Sequence, residues 1–301
     1  MTERVAAGAV SCVAETAALL GEGPLWDPRC ERLLFLDIKS NRVFRHDPAT
    51  GRTENFDMTG AVSALGLAQA GGYVCAYRDG FAFLDLDGAS PALSPITNPE
   101  SDKPGNRFND GKVDPAGGFW AGTMDDAEKA VSGAWWRLAP DGSATMLNDN
   151  VMVTNGPAFD PERGLVYMTD SARQVIFRAK TDGTDMEDKA PFMTFAAENG
   201  YPDGMEVDCE GCLWVAFWDG GAVRRFSREG GLMEEIPIPA QRPTSLTIVE
   251  DRLFVTSAKI GLDADALAAF PLSGGLFSVA LSKPLQRKSA FLFDDSALRK
   301  R

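Results

Sequence analysis

TNGPAFDPERGLVYMTD, residues 154–170, is the stretch on which the fold prediction depends. In it the polar Asn155 stands four positions before the apolar Phe159, and an acidic residue, Asp160, follows directly. A segment with Pro and Gly then leads into a short run of β-forming residues, 165–168. Asp, Pro and Gly supply the hydrogen bonds and the φ angles that tight turns require. The stretch therefore predicts a strand, a tight turn and a second strand.

The same pattern occurs six times along the 301-residue chain. Its polar position is occupied in turn by Glu22, Ser63, Asn109, Asn155, Asp203 and Thr244. The apolar residues four positions later are Trp26, Leu67, Val113, Phe159, Val207 and Ile248. An acidic residue follows directly in four copies, as Asp27, Asp114, Asp160 and Asp208. Successive copies are 41, 46, 46, 48 and 41 residues apart, which is the period typical of propeller blades.

Each copy contains further short apolar runs between turn signals, such as 33–36, 118–121, 212–215 and 223–226. Three or four strands per copy and six copies predict an all-β fold, a six-bladed β-propeller with antiparallel strands in each blade and a central channel. Since blades stack on their neighbours and share one interior, we expect a single domain over residues 1–301. Residues 90–104 contain four prolines and predict a long loop between the second and third blades.

Charge and hydropathy limit the classes of partner. The net charge is −13 and the pI is about 4.6, which argues against nucleic acid or an anionic membrane as partner. No apolar run reaches the length of a membrane span. Residues 5–10 weakly resemble the core of a signal peptide, but we expect them to lie in a segment that completes a blade. The sequence predicts a cytoplasmic protein, a monomer or a weak homo-oligomer.

Cysteine and histidine usage excludes several kinds of chemistry. The five cysteines follow no disulfide framework and are expected to be reduced thiols. Cys209 and Cys212 form a CxxC, but other copies build the same turn without cysteine, which favours a turn over a zinc site. His46 is the only histidine, and the residues around it predict a surface turn. The single histidine therefore argues against nucleophile–histidine catalysis and against His-rich metal sites, because both need an imidazole at the site.

The polar position of the repeat predicts a metal site. In a propeller, residues at one phase of the repeat come to equal height around the axis. Glu22, Asn109, Asn155 and Asp203 bear carboxylates or carboxamides there, and although turn chemistry explains each singly, it does not explain four at one phase. Oxygen ligands suit Ca²⁺, Mg²⁺ and Mn²⁺. Glu22 and Asp203 would supply two charges and Asn155 a carbonyl, which leaves coordination positions for water and substrate.

Five phrases resemble the senescence marker protein, gluconolactonase and regucalcin group of six-bladed propellers. They are, in chain order, LGEGP (20–24), NRFNDGKVD (106–114), AGTM (121–124), TNGP (154–157) and YPDGM (201–205). The resemblance covers nearly the whole chain, from residue 20 to residue 277. Residues 258–262 and 270–275 look like the bacterial sugar-lactone hydrolases of the group.

The resemblance implies one divalent metal ion held by Glu22, Asn155 and Asp203, with Asp203 also catalytic as the residue that orients or deprotonates water. The ligand set admits Ca²⁺, Mn²⁺, Mg²⁺, Zn²⁺ or Fe²⁺. It also implies that Arg107 and Asn109 bind the substrate. A further acidic contact is expected after the AGTM phrase, where Asp125, Asp126 and Glu128 lie close together and Asp125 and Glu128 are the candidates. Gapless counting puts Ala127 at that position.

The implied function is hydrolysis of a sugar lactone, such as xylono-, arabino- or gluconolactone, to the aldonic acid. A calcium-binding regulatory propeller would use the same ligands, and so would an esterase or a phosphotriesterase. A propeller that serves only to bind other proteins would hold no metal ion. Ser63 and Thr244, at the two remaining phases, are expected to line the channel without charge.

Overall fold

The computed structural model describes residues 5–287 and 290–299 of the chain. In these residues, 24 strands form six four-stranded sheets, and every strand pair with a defined register is antiparallel. The fold is a six-bladed β-propeller, as the repeat predicts, with almost no helix.

The chain enters through β1 (Ser11–Ala14) and then forms the blades in order. Blade 1 is β2 (Gly21–Asp27), β3 (Arg32–Asp37), β4 (Arg42–His46) and β5 (Thr53–Asp57). Blade 2 is β6 (Val62–Leu67), β7 (Tyr73–Tyr77), β8 (Gly80–Asp85) and β9 (Ala92–Thr97). Blade 3 is β10 (Asn106–Val113), β11 (Phe119–Asp125), β12 (Gly133–Leu138) and β13 (Ala144–Val151).

The remaining blades repeat this order. Blade 4 is β14 (Thr154–Asp160), β15 (Leu165–Asp170), β16 (Val175–Lys180) and β17 (Glu187–Thr194). Blade 5 is β18 (Tyr201–Val207), β19 (Leu213–Trp218), β20 (Ala222–Phe226) and β21 (Leu232–Pro237). Blade 6 is β22 (Arg242–Val249), β23 (Arg252–Ala258), β24 (Leu276–Ala280) and the N-terminal β1. The helices among the described residues are 3-10 turns at Ser171–Arg173 and Ala197–Asn199 and one α-helix, α1 (Ala264–Ala269).

The N-terminal segment completes blade 6, which confirms the expectation for it. Ser11 of β1 pairs with Ser278 of β24 in antiparallel register. Ahead of this strand, the backbone amides of Val5 and Ala6 donate to the buried carboxylate of Glu234, at 2.8 and 3.1 Å. Blade 6 thus combines the strand at residues 11–14 with three strands between residues 242 and 280.

The blades group into two compact units. The first contains residues Met1–Asn55 and Phe195–Lys288, in which β22 packs against β2, β18 and β19. The second contains residues Phe56–Thr194 and Ser289–Arg301, in which β10 packs against β6 and β14. Each unit has its own apolar clusters, such as the one around Trp214 and Phe277 in the first unit and the one around Phe81 and Phe119 in the second. The single domain expected from the repeat stays a prediction.

In blades 3 and 5 the acidic residue of the repeat holds the turn after the first strand of the blade. Asp114 accepts from the amides of Ala116 and Gly118 at 2.8 and 2.9 Å, and Asp208 accepts from those of Glu210 and Cys212, both at 2.9 Å. Cys209 and Cys212 lie in and beside this turn, as predicted. Asp is favoured in turns because its carboxylate accepts hydrogen bonds from backbone amides of the same turn.

Two predictions about loops were wrong. Residues 90–104 are not one long loop, because β9 lies within them as the outer strand of blade 2. Pro95 is tolerated there because an edge strand does not need every N–H for the sheet. His46 is not in a surface turn: it is the last residue of β4, it is 1% exposed, and its Nδ1 lies 2.9 Å from Oγ1 of Thr53.

Burial lowers the pKa of His46 below its usual 6.5, although the neighbouring Asp47 acts in the opposite direction. We expect an NMR titration of the ring protons, which no second histidine obscures, to give a midpoint below 6.5. The folded state then binds fewer protons than the unfolded state in the window just below pH 6.5. His46 therefore stabilises the fold at neutral pH, and this contribution is lost as the pH falls. A midpoint at or above 6.5 would contradict the buried placement.

Membrane insertion through a helix finds no support. Among the residues that the structure describes, no helix has the length and the apolar character needed to cross a bilayer.

Candidate functional site

The six polar residues of the repeat share one local environment. Each lies on the first strand of its blade, and each is buried, with exposed fractions between 0 and 7%. In every one of these strands the register is interrupted at this residue or directly after it, as between Glu22 and Leu25, between Phe108 and Gly111, and between Pro202 and Met205. Bulges turn a side chain away from the regular alternation and are frequent next to active sites.

Two of the six positions, Ser63 and Thr244, bear hydroxyl groups that hydrogen-bond to backbone carbonyl oxygens. The Ser63 hydroxyl donates to the carbonyl oxygen of Ala76 at 3.3 Å. Thr244 donates to the carbonyl oxygen of Gly21, and its Oγ1 also lies 2.9 Å from Oγ1 of Thr256. Both side chains are buried, and their hydroxyls satisfy backbone groups; that they line the channel stays a prediction. The remaining four carry the carboxylates and carboxamides.

Arg107, Asn109 and Asn155, which the sequence assigns to substrate and metal, are joined by hydrogen bonds. Arg107 donates through Nη1 to Oδ1 of Asn109 at 2.6 Å. Asn109 donates through Nδ2 to Oδ1 of Asn155 at 2.8 Å and to the carbonyl oxygen of Thr154 at 2.7 Å. Asn155 in turn donates through Nδ2 to Oγ of Ser171 at 2.9 Å. This series of hydrogen bonds fixes the orientation of the side-chain amides of Asn109 and Asn155.

This arrangement leaves binding capacity on two of the three side chains. Arg107 uses Nε and Nη1 for its hydrogen bonds to described residues, and none of these bonds uses Nη2. The amide oxygen of Asn155 accepts one hydrogen bond and has two lone pairs, which leaves one lone pair for a cation. The substrate-binding residue and the metal ligand predicted from sequence thus belong to one rigid network.

Glu22 and Asp203 are the two carboxylates of the repeat position, and each is 5% exposed. Glu22 accepts from the amide of Gly23 at 3.2 Å. A carboxylate that is taken out of water is costly unless hydrogen bonds and a positive charge compensate. Carboxylate oxygens are ligands that suit a hard divalent cation. Both carboxylates belong to the first unit and Asn155 to the second.

The acidic residues after the AGTM phrase have different roles. Asp125 accepts through Oδ2 from the amides of Lys129 and Ala130 at 2.8 and 3.1 Å, which holds the turn after β11. Glu128 is exposed in that turn with φ of 56°. Asp126 is the residue that contacts Arg107, since its Oδ1 accepts from Nε at 2.7 Å. Asp125 and Glu128 as substrate contacts stay predictions, and Asp126, which the sequence placed beside them without choosing it, is the one that contacts Arg107.

Asp110 lies in the same bulge as Asn109, directly after it, and is also buried. Its Oδ1 accepts from the amide of Gly111 at 2.7 Å, and its Oδ2 accepts from that of Gly156 at 2.9 Å. Burial raises the pKa of Asp110 to about 6, although Lys112 and the two amides act against the rise. Asp110 therefore ties β10 to the backbone beside Asn155.

A second acidic group lies in blade 5. Ligand atoms of Asp208, Glu210 and Cys212 lie within 4.8 Å of one another. Arg225 donates to Asp208 and to Glu210, both at 2.7 Å, and Lys283 donates to Glu210 at 2.7 Å. Burial raises the pKa of the Cys212 thiol, which disfavours the thiolate that binds metal. The group is an ion-pair network that holds the turn.

The fold and the repeat define a class of protein: a six-bladed β-propeller with buried polar side chains at the bulges of the first strands. The model of the SMP-30/gluconolactonase/LRE-like region matches residues 20–259, and the chain belongs to this family.

Relatives extend over nearly the whole chain. A 6-deoxy-6-sulfogluconolactonase of Pseudomonas putida is 35% identical over 284 residues, which are 91% of this chain and 96% of the relative. Regucalcin of Danio rerio is 36% identical over 280 residues, 90% of this chain and 93% of the relative. A crystal structure of a calcium-binding protein, regucalcin, from Agrobacterium tumefaciens is 30% identical, covers 96% of this chain and 97% of its own, and superposes with a TM-score of 0.88.

Proposed function

We propose that this protein hydrolyses a sugar lactone to the aldonic acid with the help of one divalent metal ion. The observation that carries the proposal is the buried chain of hydrogen bonds from Arg107 through Asn109 to Asn155. It links a guanidinium and an amide suited to sugar hydroxyls directly to an amide oxygen suited to a cation. Two relatives add support, since one is named a sulfogluconolactonase and another a calcium-binding protein.

We propose Glu22, Asn155 and Asp203 as the ligands of the ion. All three are buried, and all three stand at the bulge of a first strand. When bound, the ion supplies Lewis-acid stabilisation of the negative charge that develops on the lactone carbonyl oxygen. The donor set admits Ca²⁺, Mn²⁺, Mg²⁺, Zn²⁺ or Fe²⁺.

The protein groups divide the remaining work. The carboxylate of Asp203 orients the attacking water and accepts its proton. Arg107, through Nη2, and Asn109 bind ring hydroxyls and hold the lactone in one orientation, which lowers the entropy cost of attack. Asp126 keeps the Arg107 fork in place through the bond to Nε. The position of the Arg107 guanidinium is therefore set by the protein and does not depend on the substrate.

The test is a lactone panel. Protein loaded with each of the five ions in turn is given xylono-, arabino- and gluconolactone at neutral pH, and acid release is followed against the same buffer and ion without protein. We expect at least one lactone to open faster than in buffer, and we expect EDTA to abolish the difference. A p-nitrophenyl ester and a phosphotriester in the same panel test the esterase alternatives.

If no lactone opens faster than in buffer with any ion, the proposal is wrong. Tight Ca²⁺ binding without turnover would then favour the regulatory propeller. We propose a cytoplasmic location as well, because nothing in the acidic composition indicates a membrane partner.

A further inference from the structure

The connections between the second and third strands of the blades differ in length. The short ones are residues 38–41, 78–79, 126–132, 171–174 and 219–221. The connection in blade 6 runs from residue 259 to residue 275 and contains α1. It is more than twice as long as any of the others, and we call residues 259–275 the blade 6 loop.

The blade 6 loop leaves its blade at the end where the polar residues of the repeat lie. Arg242, at the start of β22, pairs with Ala258, the residue directly before the loop, and Thr244 lies just after Arg242 on the same strand. β22 packs against β2 and β18, which carry Glu22 and Asp203. All of these residues belong to the first compact unit. The loop therefore starts from the blade between the two strands that carry the proposed carboxylate ligands.

Hydrogen bonds hold both ends of the blade 6 loop against the segment that leads into β2. At the first end, the amide of Ile260 donates to the carbonyl oxygen of Leu19 at 2.9 Å. At the second end, the carbonyl oxygen of Gly274 accepts from the amide of Ala18 at 2.9 Å. Both ends are thus fixed relative to the strand that carries Glu22.

The middle of the loop is held differently. Among the residues that the structure describes, no hydrogen bond or ion pair joins residues 263–270 to a residue outside the loop. Its hydrogen bonds are internal, such as the one from the amide of Phe270 to the carbonyl oxygen of Ala266 at 2.8 Å, and α1 has no buried residue. A short helix is marginal in water without tertiary packing, and segments with few buried contacts open at low cost in free energy. Residues 263–270 can therefore move while the two ends stay in place.

Exposed apolar side chains lie on the loop and beside it. The large apolar side chains of the first unit that are between 36 and 55% exposed are Leu19, Tyr201, Leu232 and Leu267. Leu267 lies on α1, Leu19 holds the first end of the loop, and Tyr201 begins the strand of Asp203. Leu232 lies at the opposite end of its blade, where β20 ends and β21 begins. The other three lie at the end of the unit that bears Glu22 and Asp203.

On the basis of the proposed function, we propose that the blade 6 loop is a lid over the lactone. When the substrate binds, residues 263–270 close over it and Leu267 packs against Leu19 and Tyr201. Burial of these apolar side chains stabilises the closed state. Closure removes water from the site, which strengthens the electrostatic interactions between Asp203 and the substrate. The lid takes no part in bond breaking.

Hydrogen exchange followed by mass spectrometry tests the closure. The probe is the lactam that corresponds to the best lactone of the panel, because a ring N–H in place of the ring oxygen makes the ring resistant to hydrolysis. It is added to the metal-loaded wild type at a concentration that inhibits lactone opening. We expect amide exchange in residues 263–270 to slow by at least about threefold, because closure shields these amides from water. A peptide that contains Leu232 should exchange at the same rate with and without the lactam.

The kinetics of matched variants test the role of Leu267. Leu267→Asp should lower kcat/KM about 10- to 100-fold, which corresponds to losing the burial of one leucine side chain in the closed state. It should also remove the protection by the lactam. Leu232→Asp makes the same change at an exposed leucine of the opposite end and should leave kcat/KM unchanged. Leu267→Met keeps an apolar side chain of similar volume and should retain most of the activity.

The inference is overturned if the lactam inhibits the enzyme but leaves the exchange of residues 263–270 unchanged, or if Leu267→Asp stays within about twofold of the wild type. In either case lactone opening by the wild type would leave the proposed function intact. Protection of residues 263–270 at higher protein concentration without the lactam would show that a second copy covers α1, and this would also overturn the lid. If the wild type opens no lactone faster than buffer, the proposed function itself fails and the inference falls with it.

Discussion

Replacing Asp203 by asparagine is expected to lower kcat/KM for lactone opening by at least about 1,000-fold. The change removes a negative charge from the proposed metal ligands and the proposed proton acceptor in one step, while the volume of the side chain stays almost the same. Glu22→Gln should also lower kcat/KM, because it removes a charge from the proposed metal ligands but leaves the proposed proton acceptor in place. The measurement is kcat/KM on the best lactone of the panel, at saturating metal.

Asp182→Asn is the matched control, because Asp182 is exposed in the turn between β16 and β17 and accepts from the amide of Thr184. It should leave kcat/KM unchanged. Circular dichroism and thermal unfolding should show that Asp203→Asn is folded. If folded Asp203→Asn keeps more than a tenth of the wild-type kcat/KM, Asp203 is neither an essential ligand nor the base.

Arg225→Ala is expected to lower the free energy of unfolding by about 3–5 kcal/mol. Arg225 is 1% exposed, and it donates through Nε and Nη2 to Asp208 at 2.9 and 2.7 Å. Its guanidinium also lies 5.6 Å from the centre of the Trp214 ring. Without Arg225 the carboxylate of Asp208 stays buried without its cation, and that uncompensated charge accounts for most of the loss.

A double-mutant cycle in urea tests this explanation. Asp208→Asn removes the charge that Arg225 compensates, so the double variant should be less destabilised than the sum of the two single variants. Arg52→Ala, at an exposed ion pair, should cost no more than about 1 kcal/mol. Additive effects of Arg225→Ala and Asp208→Asn would show that the ion pair is not the source of the stability.

The six-fold repeat made the fold predictable, because its period is long enough for a blade and its turns carry Asp, Pro and Gly at fixed places. The third strands were also visible, as in 223–226, which became β20. The sequence pattern did not predict the outer strands, because many of their residues face water. The outer strand β9 also contains Pro95. The sequence pattern failed at His46 because a single polar residue at a strand end does not show whether a neighbouring strand covers it.

The candidate site was predictable where it follows the repeat and obscure where it does not. Asn109 and Asn155 share a phase, and the structure joins them by a hydrogen bond of 2.8 Å. Asp126 lies in a turn, where the alternation of a strand no longer decides which side chain faces inward. Three acidic residues within four positions were therefore equivalent in the sequence, and only the contact with Arg107 distinguishes Asp126.

The central claim is that one divalent ion is held by Glu22, Asn155 and Asp203, and its most direct test is the metal content of the purified protein. Elemental analysis after loading and desalting should find about one ion per chain in the wild type and in Asp182→Asn. Asp203→Asn and Asn155→Ala, confirmed as folded, should retain far less than one. A wild type that retains no ion, or folded variants that retain a full equivalent, would contradict the account.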